Sequence, residues 1–228
     1  MKNMKIKSIF ALLVVTLLFS GCAKDKNEPS KATFWPVLTV TGDKLVIITE
    51  GDTYTDAGAV ATSNGAPIDV EVTNQVDANT AGVYPVKYAA FNDDGIPATD
   101  SRTIIVLPAA TTLIDGDHIV GDFTLSAPAR PSPIPSMSVT KLATGLYKIS
   151  NIYGSNGSNS VIQVPAFVYT TDGLVYNVLD ATLVGDAEGT EISSGGTATW
   201  NPITSKLACA FKIASVGPNI FSRTWQHN

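Results

Sequence analysis

The sequence predicts an all-β protein built from two antiparallel β-domains, and three observations support this fold class. Apolar and polar residues alternate with a period of two over segments such as 68–76 and 83–91. Turn-forming Gly, Asp and Asn residues separate these segments at regular spacing. No stretch carries an apolar stripe of period 3.6 over three turns, so we expect little helix.

The N-terminus combines a lysine-containing start with an apolar stretch at residues 9–19. This stretch is too short to cross a bilayer, which requires about 20 apolar residues in a helix. The sequence LFSGC follows at 18–22, and the whole segment resembles a bacterial lipoprotein signal peptide with its lipobox. The resemblance implies a signal peptide at 1–21 and a lipid on Cys22, the alternative being an ordinary secretory signal with a chance cysteine.

Residues 22–34 are polar and charged, and they are predicted to form a tether between the lipid anchor and the folded protein. The resemblance implies the outer membrane as the location. The acidic residues after Cys22 are interrupted by Lys24 and Lys26, so the periplasmic and extracellular faces both remain open. Without the signal peptide the chain has 12 basic and 20 acidic residues. This acidic balance, without a Lys/Arg cluster, argues against nucleic acid as a partner.

The first predicted domain spans residues 35–108, with strands expected at 37–41, 44–48, 68–76, 83–91 and 102–107. Its motifs are GDTYTDAGA at 51–59, NTAGVYPVKY at 79–88 and RTIIV at 102–106. In this order they resemble the bacterial immunoglobulin-like domains of the hyalin-repeat type. The resemblance implies a seven-stranded sandwich that acts as a spacer or adhesive module and is rarely catalytic.

The second predicted domain spans residues 112–228 and is expected to be an antiparallel β-sandwich or a barrel-like domain. Its candidate strands lie at 118–126, 137–142, 146–153, 161–169, 174–179, 197–200, 207–213 and 220–225. The motifs GLYKISNIYG at 145–154 and GTATWN at 196–201 resemble the C-terminal domain of unknown function of small Bacteroides lipoproteins. The resemblance implies a role in outer-membrane glycan uptake, with transport proteins of that membrane as partners.

The candidate ligand-binding residues are aromatic and amide side chains of the second domain. Sugars stack on flat aromatic faces, and their hydroxyl groups hydrogen bond to amides and carboxylates. The strongest candidates lie beside a Gly/Asn-rich loop and at the end of a strand: Tyr153, Asn156, Asn159, Trp200 and Asn201. The alternative for each aromatic residue is a place in the β-core.

Neither catalysis nor a cofactor is expected. Once Cys22 carries lipid, Cys209 is the remaining cysteine and lies in an apolar run, which excludes an internal disulfide and a cysteine metal cluster. His118 and His227 are far apart in sequence, which argues against a histidine metal site. The local acid–histidine cluster Asp115-Gly116-Asp117-His118 lacks a Ser or Cys partner motif.

We therefore expect a non-catalytic, membrane-anchored lipoprotein that binds a polysaccharide or oligosaccharide for a nutrient-uptake system. The alternative is a structural or adhesive module that contacts other proteins and takes no small ligand.

Overall fold

The computed structural model describes residues 32–109, 111–129, 133–154, 163–182, 191–213 and 219–228. Within these residues it contains sixteen strands and one short 3₁₀ turn, Asp117–Ile119, and no α-helix. This confirms the predicted all-β fold class. Trp35–Asn228 forms one compact unit. The predicted lipid site Cys22 and the candidate ligand residues Asn156 and Asn159 lie outside the described residues.

The first seven strands form a two-sheet sandwich, as the resemblance to immunoglobulin-like domains implied. One sheet has the order β1-β3-β4, and the other has the order β5-β6-β7-β2 with β2 and β7 parallel. The predicted strand at 68–76 is divided between β4 and β5. The strands are β1 (Val37–Val40), β2 (Leu45–Thr49), β3 (Ala59–Ser63), β4 (Ala66–Ile68), β5 (Glu71–Asn74), β6 (Gly82–Phe91) and β7 (Pro97–Leu107).

A buried charged cluster explains part of the motif at residues 51–59. The Asp56 carboxylate accepts hydrogen bonds from the hydroxyls of Tyr54 at 3.0 Å and Tyr88 at 2.6 Å. It also pairs with Nη1 of Arg102 at 2.8 Å, and Nη2 of Arg102 donates to the Thr41 carbonyl. The cluster therefore ties the 51–59 segment to strands β6 and β7.

Eight strands of the second domain close into an antiparallel barrel. Each strand pairs with the next along the chain, β12 pairs with β14, and β16 returns to pair with β8. Residues 207, 209 and 211 alternate inward along β15, with Phe211 fully buried. The barrel strands are β8 (Gly121–Ala127), β9 (Ser136–Ala143), β10 (Leu146–Ile149), β11 (Ala166–Thr170), β12 (Val175–Val178), β14 (Glu191–Asn201), β15 (Lys206–Ile213) and β16 (Ile220–His227).

The segment 111–120 crosses one end of this barrel, which we call the closed end. The β9–β10, β11–β12 and β14–β15 turns lie there, because alternate connections of an antiparallel ring share one end. Ile119 of the segment is fully buried, and the Ile114 amide donates to the Thr170 carbonyl at 3.1 Å. Gly145 has φ +66°, and a Cβ there would lie 2.6 Å from the Ile114 carbonyl oxygen, so glycine is required.

The two domains share a hydrophobic core. Val83, Ile105 and Leu107 of the sandwich belong to the same buried cluster as the inward residues of the barrel. The short strand β13 (Ala181–Thr182) pairs in parallel with β6, and the Val83 amide donates to the Asp180 carbonyl at 2.7 Å. The junction is therefore a packed interface with main-chain hydrogen bonds.

Candidate functional site

Trp200, predicted as a sugar-stacking residue, lies on the inward face of β14 at the closed end. Its side chain is only 9% exposed. The ring of His118 lies 5.4 Å from it and that of His227 lies 6.0 Å from it, while Phe123 meets it edge-on at 6.4 Å. The two histidines that are distant in sequence thus flank one indole ring. Trp200 consequently packs the closed end and offers little of its face to solvent.

Asn201 follows Trp200 and is exposed at the start of the β14–β15 turn. Its side-chain oxygen accepts hydrogen bonds from the amides of Ile203 at 3.0 Å and Thr204 at 3.1 Å. Such Asx hydrogen bonds stabilise turns. The amide oxygen of Asn201 therefore holds the turn.

Tyr153 lies at the opposite end of the barrel, because β10 runs away from the closed end toward it. Its ring is half-buried, with the Arg223 guanidinium 4.9 Å from the ring centroid and Phe221 edge-on at 5.4 Å. The Tyr153 carbonyl accepts a hydrogen bond from Nε of Arg223 at 2.6 Å. The predicted residues Tyr153 and Trp200 are therefore at different ends of the barrel and do not form one site.

The structure instead assembles a polar cluster at the closed end around the 115–118 segment. Nζ of Lys141 lies 2.5 Å from the Asp117 carboxylate and 3.4 Å from that of Asp115. The buried Tyr147 hydroxyl lies 2.9 Å from Asp117 Oδ1 and 3.3 Å from Asp115 Oδ1. It also accepts the Gly116 amide at 2.7 Å. The two carboxylates and the ammonium group are exposed, whereas the tyrosine that positions them is buried.

Tyr176 fixes the other side of the same segment. Its buried hydroxyl donates to the Gly116 carbonyl at 2.8 Å and lies 3.0 Å from Nε2 of His118. The rings of Tyr147 and Tyr176 meet edge-on at 5.7 Å. A Cβ at Gly116 would lie 2.4 Å from the Tyr176 hydroxyl, so the contact requires glycine. The exposed imidazole of His118 is thereby held between Tyr176 and Trp200.

In this cluster the exposed Asp117 and Lys141 are ionised, and the phenols of Tyr147 and Tyr176 that lie below them are neutral. The hydrogen bond from Lys141 is the main cause of the lowered pKa of Asp117, and the same contact raises the pKa of Lys141. Burial is the main cause of the raised pKa of both Tyr147 and Tyr176. The cluster therefore presents carboxylate acceptors and an ammonium donor at neutral pH, which suits hydrogen bonding to a polar ligand.

Cys209 and a metal cluster are the two other candidates for chemistry in the described part of the chain. Cys209 is buried, and burial raises the pKa of its thiol to about 12, so the thiol is inert. Among the described residues, no group of three or more His, Cys, Asp or Glu side chains is placed to hold a metal ion.

Only part of this cluster could be predicted from the sequence. The 115–118 segment was visible as a local acid–histidine motif. Lys141 gave no signal, because it reaches the segment only through the pairing of β9 with β10, which places it opposite Tyr147. His227 reaches Trp200 only through barrel closure between β16 and β8. A single sequence shows neither pairing.

Comparison with known proteins finds a family to which the first domain is similar. Residues 38–106 match the family described as "Bacterial surface protein, Ig-like domain", which agrees with the resemblance at the same motifs. Among solved structures, the lipoprotein BT2262 from Bacteroides thetaiotaomicron is similar, with 20% sequence identity and a TM-score of 0.40. The alignment covers 85% of this chain and 100% of that one. No curated protein matches the chain.

The match to a surface-protein module places the protein in the bacterial cell envelope or at the cell surface. Across the described ranges from residue 32 onward, we find no helix with the length and apolar character needed to cross a membrane.

Proposed function

We propose that this protein is an outer-membrane lipoprotein, anchored through Cys22, that binds a glycan non-catalytically at the closed end of its barrel. The observation that carries the proposal is the exposed Asp115, Asp117 and His118 set held by two buried tyrosines. Carboxylates form strong hydrogen bonds with hydroxyl donors. Because the tyrosines already fix the segment, binding costs little ordering entropy. The proposal moves the sugar site from the aromatic residues to this polar cluster.

Several features of the chain support this assignment over catalysis. Asp117 is engaged by Lys141 and Tyr147, so it serves as a fixed acceptor and not as a free general base. The exposed imidazole of His118, whose ring lies 5.4 Å from that of the buried Trp200, offers a further polar contact for a ligand. In an uptake system the protein would capture a polysaccharide or oligosaccharide for outer-membrane transport proteins.

Calorimetric titration tests the glycan proposal. Residues 24–228, which contain the compact unit Trp35–Asn228, are titrated with a panel of plant, host and microbial polysaccharides. We expect saturable heat with one class of glycan. Asp115→Asn keeps the shape of the side chain and weakens this binding about tenfold or more, because one charge-assisted hydrogen bond is lost.

Asp69→Asn is the matched control, since Asp69 is an exposed carboxylate of the Ig-like domain and the charge change is the same. Its affinity should equal that of the unmodified protein. Equal affinities for Asp115→Asn and the unmodified protein would place the sugar elsewhere. The absence of binding heat with every glycan of the panel, for a protein that is folded, would reject glycan binding.

A protein partner is the second candidate, and the exposed aliphatic residues of the closed end favour it. Ile203 at the tip of the β14–β15 turn is 93% exposed, and Leu174 and Ile114 are also exposed. Clustered apolar side chains on a surface mark interaction sites. Cross-linking in whole envelopes tests this function. Ile203→Asp should abolish a specific cross-linked product while Asp115→Asn preserves it, and an unchanged product with Ile203→Asp would reject this surface.

A further inference from the structure

The sheet β1-β3-β4 of the Ig-like domain has one face against the sandwich core and one face in solvent. Alternate residues of a strand lie on opposite faces, and Thr39 of β1 lies opposite Val60 of β3. Val40 and Ala61, which lie on the inner face, are buried. Across the described residues of these strands, the outer face carries no charged side chain, and its exposed members are Val37, Thr39, Val60, Thr62 and Pro67.

Trp35 extends this outer face toward the N-terminus. More exposed and more buried residues alternate from Trp35 to Val40, which places Trp35 on the same side as Val37. Trp35 is 71% exposed, and Val37 and Val60 are 63% and 62% exposed. A cluster of exposed apolar side chains marks a surface that meets a partner or a membrane. We call Trp35 and the five outer-face residues of the sheet the outer patch.

The outer patch lies where the chain from the predicted lipid anchor enters the compact unit. Trp35 is the first residue of that unit and comes thirteen residues after Cys22. A chain of this length spans at most about 45 Å when fully extended. A bilayer that holds the Cys22 lipid therefore stays close to the outer patch. Because the covalent link keeps the two together, even a weak affinity for lipid is enough for contact.

The composition of the outer patch favours a lipid surface as its partner. Tryptophan is enriched at membrane–water interfaces, because its ring combines an apolar body with a polar N–H. The valine, threonine and proline side chains around Trp35 carry no charge that would lose its hydration there. Without the signal peptide the chain has 12 basic and 20 acidic residues, which disfavours anionic lipids and leaves zwitterionic phospholipids as the matching surface.

We propose that the outer patch rests on the surface of a zwitterionic phospholipid bilayer, with the Trp35 ring at the level of the headgroups. The inference rests on the Cys22 anchor of the proposed function and is independent of the glycan site. The lipid on Cys22 supplies the attachment. The outer patch determines which side of the Ig-like domain faces the membrane.

Fluorescence quenching in vesicles tests this contact. The full chain, purified from cells with its lipid, is reconstituted into phosphatidylcholine vesicles with or without phosphatidylcholine that is brominated near the headgroup end of its acyl chains. Trp200 and Trp225 are 9% and 0% exposed, so quenching by the brominated lipid reports on Trp35. We expect the brominated lipid to quench most of the Trp35 emission, and Trp35→Phe to remove the quenched component.

A charge in the outer patch should prevent the contact. Val60→Asp should abolish the quenching, because a carboxylate loses hydration at the lipid surface. Val72→Asp is the matched control, since Val72 is 49% exposed on β5 of the other sheet. This control should be quenched like the unmodified protein, whereas equal quenching of Val60→Asp would overturn the assignment to the outer patch.

Vesicle flotation distinguishes failure of this inference from failure of the proposed anchoring. A full chain that does not float with the vesicles lacks the lipid anchor, which overturns both. A chain that floats while the brominated lipid leaves Trp35 unquenched overturns the membrane contact alone. If Trp35 of that floating chain is also protected from acrylamide, a protein such as a second copy covers the outer patch instead of lipid.

Discussion

Replacing Asp56 by alanine should be among the most damaging single changes in the Ig-like domain. The substitution removes the carboxylate that faces Arg102 at 2.8 Å. The Arg102 side chain is 2% exposed, so its charge cannot be solvated in the folded protein. The hydroxyls of Tyr54 and Tyr88 lose their shared acceptor at the same time.

The expected magnitude follows from the burial of the pair. Removing one partner of a buried ion pair costs about 3–5 kcal/mol, because an uncompensated charge remains inside the protein. Asp56 is itself 14% exposed, so we expect the lower part of this range. Domains are stable by only about 5–15 kcal/mol, and the loss is a large share of that.

A second ion pair of the same domain supplies the control. Lys44 and Asp100 are 2.6 Å apart, but the lysine is mostly exposed. Asp100→Ala should therefore cost less than about 1 kcal/mol. Urea unfolding of both variants, followed by circular dichroism, gives the two free energies of unfolding. Equal losses in the two variants would refute the argument that burial of Arg102 decides the effect.

The same cluster predicts a pH dependence. Burial is the largest single influence on the pKa of Asp56 and raises this pKa. Hydrogen bonds from Tyr88, Tyr54 and Gly58, together with the charge of Arg102, outweigh burial and lower the pKa below 3.8. A depressed folded-state pKa contributes stability that is full above the unfolded pKa of about 3.9 and disappears as the pH falls through the folded value. The stability gap between the unmodified protein and Asp56→Asn should therefore shrink below that pH. A gap that is constant down to pH 2 would contradict this linkage.

Three further predictions concern the junction, the closed end and the anchor. Ile105→Ala and Ile104→Ala should each lower the free energy of unfolding by about 2–5 kcal/mol. Of the two residues, Ile105 faces the core shared with the barrel, so Ile105→Ala should also make the two domains unfold in separate transitions. A single calorimetric transition in Ile105→Ala would contradict this. Gly116→Ala should cost about 1–3 kcal/mol through its clash with Tyr176, measured by urea unfolding. Cys22→Ala should abolish incorporation of labelled palmitate in cells while Cys209→Ala retains it, and label persisting in Cys22→Ala would reject lipidation there.

Most strands were predictable because local alternation dictates them. The predicted segments at 207–213 and 220–225 correspond to β15 and β16 with shifts of one or two residues. The alternation at 68–76 failed as one strand, because β4 pairs with β3 in one sheet and β5 pairs with β6 in the other. Sheet membership depends on pairing partners distant in sequence, which local periodicity does not encode.

The domain junction left a signal in the sequence. Residues 104–107 are four consecutive apolar residues, and all four are buried. In a sandwich with one face in water, alternate residues of a strand are polar, so an uninterrupted apolar run indicates burial on both faces. Ile104 and Val106 face the sandwich core, whereas Ile105 and Leu107 face the core shared with the barrel.

The structure separates two of the candidate site residues that composition had singled out. Trp200 and Tyr153 have the chemistry of sugar-stacking residues, but closure of the barrel turns both side chains toward packed surroundings at opposite ends. The residues of the local motif at 115–118 stay together in the structure because they are adjacent in sequence and lie on one end of the barrel. Its positioning by Tyr147, Tyr176 and Lys141 depends on three separate strands, so it becomes visible only in the folded chain.

The arrangement of the two domains has a consequence for recognition at the closed end. β12 begins beside the Tyr176 contact with Gly116 and leads directly to β13, which pairs with the Ig-like domain through Val83. One strand therefore links the polar cluster to the junction, and its inward residues Tyr176 and Val178 belong to the shared core. A ligand or partner that contacts Asp115 meets a surface already ordered by folding. Binding there pays little conformational entropy, which favours a preformed recognition surface over one that is assembled by the ligand.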